Sequence, residues 1–153
     1  MTDIRYVCLS DLHLGEEDSI LTALNENVVD SDNPSPVMIE LVKCLKELIL
    51  KNKGTRKPTL ILNGDILELA LSTTNISTMV LERLLELFMK KEEELFEKII
   101  YIPGNHDHHM WEQIRETQYP GISGDIRIIK CLLHGARHRC SLKKRIIHYI
   151  GTS

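Results

Sequence analysis

Short apolar segments that alternate with amphipathic segments are the feature that most constrains the fold of this chain. The segments 4–9, 58–62, 99–102 and 126–133 are β-prone and end at Gly, Pro, Asn, Asp, Ser or His residues, as buried strands do. Apolar residues at helical spacing predict helices over about 37–51 and 77–97, and a short helix over 109–117. Ser35 and Pro36 suit the start of the first helix, and 15–36 is predicted to be a loop. This order predicts an α/β domain.

Length and composition exclude several other classes of protein. The chain has 153 residues, of which 42% are hydrophobic and 27% charged, values typical of a single globular domain. No apolar run reaches the roughly 20 residues of a membrane-spanning helix. The N-terminus runs directly into the first predicted strand, so we see no signal peptide and expect a cytoplasmic protein. No two of the four cysteines form a C-x-x-C pair, which argues against a zinc knuckle or redox motif.

Side chains that can bind metals follow each of the four predicted strands. In chain order these groups are Asp11-Leu12-His13, Gly64-Asp65, Gly104-Asn105-His106-Asp107 and His134-Gly135. Any one of them alone is also compatible with an ordinary turn or a surface histidine. Because ligands gather at the carboxyl ends of strands in open α/β folds, we expect the four groups to converge on one site.

The residue types at this site indicate its chemistry. Carboxylate, amide and imidazole groups without thiolates suit Mn, Fe, Zn or a similar divalent ion. A carboxylate shared between two ions can hold a metal pair, which polarises a phosphoryl oxygen and lowers the pKa of a bound water. The residue types are therefore suited to divalent metal binding and could support a hydrolytic metal pair.

The order of the four groups resembles that of the calcineurin-like metallophosphoesterases. Their pattern is Asp-x-His, Gly-Asp, Gly-Asn-His-Asp/Glu, a His usually followed by Gly, and then Gly-His-x-His. The match covers about residues 4–135, and Ser10-Asp11-Leu12-His13-Leu14-Gly15 looks like prokaryotic members. The resemblance implies an α/β sandwich of mixed β-sheets flanked by helices. It also implies a hydrolase that cleaves phosphoester bonds with a dinuclear centre and a metal-bound hydroxide nucleophile.

The resemblance also implies a role for each residue of the motifs. Asp11 and His13 would bind the first metal, and Asp65 would bridge both metals. Asn105 and His134 would bind the second metal. His106 and Asp107 would be catalytic: His106 would donate a proton or a hydrogen bond to the phosphate, and Asp107 would orient its ring. An imidazole with a pKa near 6.5 suits such proton transfer.

The last block of the family pattern, Gly-His-x-His, is absent from the sequence. The nearest string is Gly135-Ala136-Arg137-His138. We therefore expect an incomplete C-terminal part, from truncation, an altered reading frame or natural shortening, with a metallophosphoesterase domain over 1–135 and a basic tail over 136–153. The missing block leaves an alternative open, namely a catalytically impaired or non-catalytic member that binds metal or serves as a scaffold.

The charge distribution also changes near the point where the pattern ends. Residues 1–124 hold 12 basic and 21 acidic residues, whereas residues 125–153 hold 7 basic residues and one acidic residue. Nucleic acid is a possible partner of this basic segment, although one cluster without interleaved aromatic residues gives little support. The expected partner is a phosphoester substrate of unspecified class. His108, His109 and Trp111 either line its entrance or belong to a surface segment.

Overall fold

A computed structural model of the chain describes residues 3–90, 93–109 and 147–149. The elements in chain order are strand β1 (Tyr6–Leu9), strands β2 (Ala23–Asn25) and β3 (Val28–Asp30), helix α1 (Pro36–Ile49), strand β4 (Thr59–Asn63), helix α2 (Thr74–Phe88), and strands β5 (Lys98–Ile102) and β6 (Ile147–Tyr149). One parallel sheet and one antiparallel hairpin with two helices confirm the predicted α/β fold. Within the described ranges, no helix is long and apolar enough to cross a membrane.

The four-stranded sheet has the order β1-β4-β5-β6, and all of its strands are parallel. In its centre, Leu60 and Leu62 of β4 are buried and lie beside Ile99 and Tyr101 of β5. These residues share one hydrophobic core with Leu84 and other residues of α2. Because the strands are parallel, the loops that follow β1, β4 and β5 all begin at the same edge of the sheet.

Helix α1 agrees with its prediction to within two residues. The hydroxyl of Ser35 accepts a hydrogen bond from the backbone N–H of Met38 at 3.1 Å, and Pro36 occupies the first turn. Met38 is the fully buried residue of the helix. The capping residues read from the sequence therefore set the start of this helix, as such residues usually do.

Helix α2 differs from its predicted range of 77–97 at both ends. Thr73 caps the helix by accepting a hydrogen bond from the N–H of Ile76 at 3.2 Å, so the helix begins at Thr74. It ends at Phe88, whose carbonyl accepts a hydrogen bond from the N–H of Leu95 at 2.9 Å. The ring of Phe96 then packs edge-on against Phe88 at 5.2 Å. Burial of Leu95 and Phe96 in the core outweighs the helical tendency of the polar residues around them.

The segment predicted as the loop 15–36 contains the hairpin of β2 and β3, so that prediction was wrong in part. Glu26 and Asn27 form its turn with φ angles of 52° and 64°, the left-handed conformation of a tight hairpin turn. The predicted strand 126–133 lies outside the described residues, as does the predicted helix 109–117 beyond residue 109. Strand β6 belongs to the segment 136–153 that we expected to be a basic tail.

Candidate metal centre

The loops after β1 and β4 run side by side and are joined by backbone hydrogen bonds. The N–H of Asp11 donates to the carbonyl of Gly64, and the N–H of His13 donates to the carbonyl of Asp65, both at 3.0 Å. Further along, Leu14 and Leu67 form an isolated parallel bridge. The two loops thus continue the pairing of their strands, and this fixes Asp11, His13 and Asp65 relative to one another.

The loop after β5 joins the other two through Asp65. One oxygen of this carboxylate, Oδ1, accepts a hydrogen bond from the backbone N–H of His106 at 2.8 Å. Gly104 packs so closely that a Cβ atom there would overlap Asp65 Oδ1 and come within 2.5 Å of its backbone nitrogen. Because only glycine permits this approach, Gly104 brings the third loop against the second.

Three residues of the predicted site adopt a backbone conformation that side chains rarely take. The φ angles are 54° for Asp11, 46° for His13 and 49° for Asp65. A left-handed conformation costs most residues other than glycine about 1–2 kcal/mol, and it costs Asp less than His because a short polar side chain can hydrogen-bond locally. Such strain commonly marks a functional site, where the surrounding structure maintains it.

The side chains of these three residues form a group suited to a divalent metal. One potential ligand atom from each of Asp11, His13 and Asp65 lies within 4.8 Å of the others. Two carboxylates and an imidazole match the ligands that Mn, Fe and Zn accept. Asn105 lies in the adjoining loop with an exposed side chain, whereas His134 lies outside the described residues.

Asp107 is buried and organises the loops around the site. Its carboxylate accepts hydrogen bonds from the backbone N–H groups of Ile66 (3.0 Å), Leu67 (3.4 Å) and Gly104, and from the hydroxyl of Tyr101 (2.6 Å). Both of its oxygens are engaged by these donors. Among the described residues, the carboxylate that contacts the His106 ring is instead that of Glu68. The catalytic role of Asp107 stays a prediction, and its contacts indicate a role in positioning the loops.

Glu68 is the residue of this site that the sequence reasoning missed. Its side chain is fully buried, and Oε2 lies 2.9 Å from Nδ1 of His13 and 2.7 Å from Nδ1 of His106. The three residues form a second group with ligand atoms within 4.8 Å of one another. The available signal was weak: Glu68 is the one charged residue between Asp65 and Glu82. A lone carboxylate in an uncharged stretch next to a motif is worth testing as a buried partner of that motif.

The Glu68 carboxylate places a negative charge beside the two imidazole rings. The hydrogen bond to Glu68 raises the pKa of His13, and burial of the ring opposes it. Burial alone would raise the pKa of Glu68, but hydrogen bonds from His13 and from the backbone N–H groups of Ala70 and Leu71, together with the close contact of the His106 ring, hold it below its usual value. Glu68 is therefore an ionised acceptor at neutral pH, although it is buried.

His108 and His109 lie directly beyond the third loop. Nδ1 of His108 is 2.6 Å from the carbonyl oxygen of Asn105, and the two imidazole rings are 3.9 Å apart. Both side chains are exposed, which fits a position at the mouth of the site. Their role at a substrate entrance stays a prediction, and Trp111 lies outside the described residues.

Comparison with known proteins agrees with this geometry. The sequence model of the calcineurin-like phosphoesterase family matches residues 4–137, which is most of the chain and includes all three loops. No curated protein and no solved structure matches the chain significantly. The family match and the three converging loops together show that the chain belongs to the calcineurin-like phosphoesterases.

Proposed function

We propose that this chain hydrolyses phosphoesters at a centre of two divalent metals, with a hydroxide generated at that centre as the nucleophile. The observation that carries the proposal is the group of Asp11, His13 and Asp65 at the carboxyl edge of the sheet. Three hydrogen bonds between the loops hold this group together. Bound divalent metals would supply positive charge to the phosphoryl oxygens and would acidify a water molecule.

The chain's own residues would divide this work as follows. Asp11 and His13 would hold the first metal, and Asp65 would contribute to both. Oδ1 of Asp65 is fixed by the N–H of His106, so the orientation of the whole carboxylate is set before any ion binds. Asn105 and His134 are proposed for the second metal. Such prior organisation lowers the free-energy cost of assembling the site.

His106 is proposed to donate a hydrogen bond or a proton to the substrate. Nδ1 of its ring contacts the buried carboxylate of Glu68, which leaves Nε2 as the nitrogen that can approach a substrate. A leaving alkoxide needs a proton, and an imidazole at neutral pH can supply one. Glu68 would keep the ring in this orientation, while Asp107 would position the loop that carries it.

We also propose that the chain works in the cytoplasm. Cys8 and Cys44 are free and exposed, and exposed thiols persist best in a reducing compartment. The substrate class is not assigned by any contact among the described residues. An aryl phosphoester is therefore the appropriate first probe, because its hydrolysis depends little on recognition of the leaving group.

The experiment is a hydrolysis assay of an aryl phosphoester with added Mn²⁺, comparing the natural chain with Asp65→Ala and His106→Ala. We expect each substitution to remove at least 99% of turnover, since removal of one group that stabilises a transition state typically costs about 10²-fold or more. Asp32→Ala is the matched control, because Asp32 is an exposed carboxylate outside the three loops. Full turnover in Asp65→Ala would disprove the proposal.

The absence of a Gly-His-x-His block supports a second candidate, a family member that binds metal without turning over substrate. Calorimetric titration with Mn²⁺ separates the two. Metal binding that Asp65→Ala abolishes, in a chain without phosphoesterase activity, would favour the second candidate. Binding together with turnover would favour the hydrolase.

A further inference from the structure

We propose that Glu68 positions the metal ligand His13, so that Glu68 is required for metal affinity and not only for the proton donor His106. This inference rests on the proposed function, since it assumes that His13 binds a metal. The observation behind it is one carboxylate oxygen, Oε2, placed 2.9 Å from Nδ1 of His13 and 2.7 Å from Nδ1 of His106.

The two contacts of Glu68 differ in quality. The contact with His13 has the alignment of a hydrogen bond, whereas the shorter contact with His106 falls outside that alignment. Nδ1 of His106 is in fact buried without a hydrogen-bond partner. Because hydrogen-bond strength falls steeply with misalignment, the stronger restraint acts on His13. The geometry thus assigns Glu68 first to the metal ligand.

The backbone holds the Glu68 side chain in one place. Its other oxygen, Oε1, accepts hydrogen bonds from the N–H groups of Ala70 at 2.8 Å and Leu71 at 3.0 Å. Its own carbonyl accepts a hydrogen bond from the hydroxyl of Ser77 in α2 at 2.7 Å. A fully buried carboxylate with these anchors cannot move to follow a mobile partner, so the imidazoles must adjust to Glu68.

A fixed carboxylate selects the tautomer of the ring that it contacts. An ionised carboxylate only accepts hydrogen bonds, so His13 must carry a proton on Nδ1. In the neutral ring, Nε2 is then free to bind a metal ion, and a carboxylate on the opposite nitrogen orients the ring and increases its basicity. Glutamine at position 68 would present an amide N–H to Nδ1 and favour the opposite tautomer, in which Nε2 cannot bind metal.

The test is calorimetric titration of the full chain with Mn²⁺, comparing Glu68→Gln with the natural protein. We expect about a 10–100-fold loss of affinity at one metal site, the range found for partners of metal-binding histidines. Glu16→Gln is the matched control: Oε2 of Glu16 lies 3.8 Å from the same Nδ1 of His13, which is too far for a hydrogen bond. This control should retain the natural affinity within about twofold, since a partly exposed pair at this distance contributes little.

A second variant separates an effect on His13 from an effect through His106. We expect Glu68→Gln to cause the same fold-loss of Mn²⁺ affinity in the His106→Ala background as in the natural chain.

Nitrogen chemical shifts of His13 in the Zn²⁺-loaded natural protein should report a proton on Nδ1, a signature that a purely structural role of Glu68 would not set.

Three outcomes would contradict these expectations, and they distinguish failure of the inference from failure of the proposed function. Natural affinity in a folded Glu68→Gln protein would overturn the inference and leave the proposed function intact. Disappearance of the Glu68→Gln effect in the His106→Ala background would also overturn it. Failure of the natural chain to bind Mn²⁺ would overturn the proposed function itself, and the inference with it.

Discussion

At the scale of single residues, the site depends on positions where an unusual backbone brings functional groups together. Asp11, His13 and Asp65 are all left-handed, and Gly104 approaches Asp65 more closely than a Cβ atom would allow. A left-handed backbone has a higher conformational free energy than a right-handed or extended one for a residue with a side chain. The arrangement is intelligible as a cost in folding free energy that places metal ligands within reach of one another.

Gly104→Ala tests the close approach of the third loop. The added methyl group would collide with the carboxylate and backbone of Asp65, so we expect a loss of about 1–3 kcal/mol in the free energy of unfolding, the usual cost of overpacking. We also expect loss of Mn²⁺ binding, because Asp65 would be displaced. Gly64→Ala is the comparison variant without a steric clash. Gly64 has a φ of 75°, and a Cβ atom there would meet nothing closer than 3.8 Å. A Gly104→Ala protein with natural metal affinity would contradict this account.

Asp11→Gly tests the strain. The Asp11 side chain is exposed, and glycine adopts the left-handed conformation freely. We expect urea denaturation of the metal-free variant to show equal or higher stability, by up to about 1 kcal/mol, while calorimetry shows weaker Mn²⁺ binding. A marked fall in stability would mean that Asp11 supports the fold and is not strained.

At the scale of elements, tertiary packing determines the end of α2 and the hairpin of β2 and β3, which the local sequence pattern did not predict. The polar segment after α2 has the composition of a continuing helix, yet the chain leaves the helix at Phe88 and buries Phe96. The hairpin of β2 and β3 has strands of three residues and a Glu26-Asn27 turn without glycine, so it lacks the usual sequence signal. Strand ends and the start of α1, in contrast, could be predicted from the sequence, because Ser35, Pro36 and the turn residues act on the backbone next to them.

Phe96→Ala tests why α2 ends where it does. The ring is fully buried against Phe88, so its removal leaves a cavity, and we expect a loss of about 3–5 kcal/mol in unfolding free energy. Leu71→Ala provides the control, because Leu71 is 75% exposed and its truncation should change stability by less than about 0.5 kcal/mol. Similar stabilities of the two variants in urea would disprove the packing explanation.

A pH-dependent contact joins the segment after α1 to the residues that precede β1. The carboxylate of Asp3 accepts hydrogen bonds from the backbone N–H groups of Lys53 at 2.9 Å and Gly54 at 2.8 Å. These bonds lower the pKa of Asp3 from its ordinary value of 3.8. A lowered pKa means that the folded state prefers the ionised form, so the stabilisation is present above pH 3.8 and disappears as the pH falls through the folded-state value.

We therefore expect Asp3→Asn to be less stable than the natural chain at pH 7, with a difference that shrinks as the pH falls below about 4. Thermal unfolding at a series of pH values measures this difference. A gap that stays constant or widens in acid would show that the Asp3 carboxylate does not act through its charge.

At the scale of the whole molecule, the sequence predicted the class of fold and the convergence of four groups, of which three lie on described loops and the fourth, His134-Gly135, lies outside the described residues. It did so because parallel strands place their carboxyl ends at one edge, whatever the details of the helices. It did not predict Glu68, because burial of a carboxylate beside two imidazoles depends on how β4 and α2 pack and not on local pattern. The family resemblance implied that Asp107 orients the His106 ring, and this role stays a prediction; the oxygens of Asp107 accept hydrogen bonds from three backbone N–H groups and from Tyr101.

The measurement that tests the central claim most directly is the stoichiometry of Mn²⁺ bound to the natural chain and to Asp65→Asn, determined by calorimetric titration. Asparagine tolerates the left-handed conformation of this position and retains an oxygen for the N–H of His106, so the fold should persist. We predict two Mn²⁺ ions per natural chain, and loss of binding at both sites in Asp65→Asn, because the shared carboxylate is gone. A natural chain that binds no Mn²⁺, or a variant that binds two ions with unchanged affinity, would contradict the account.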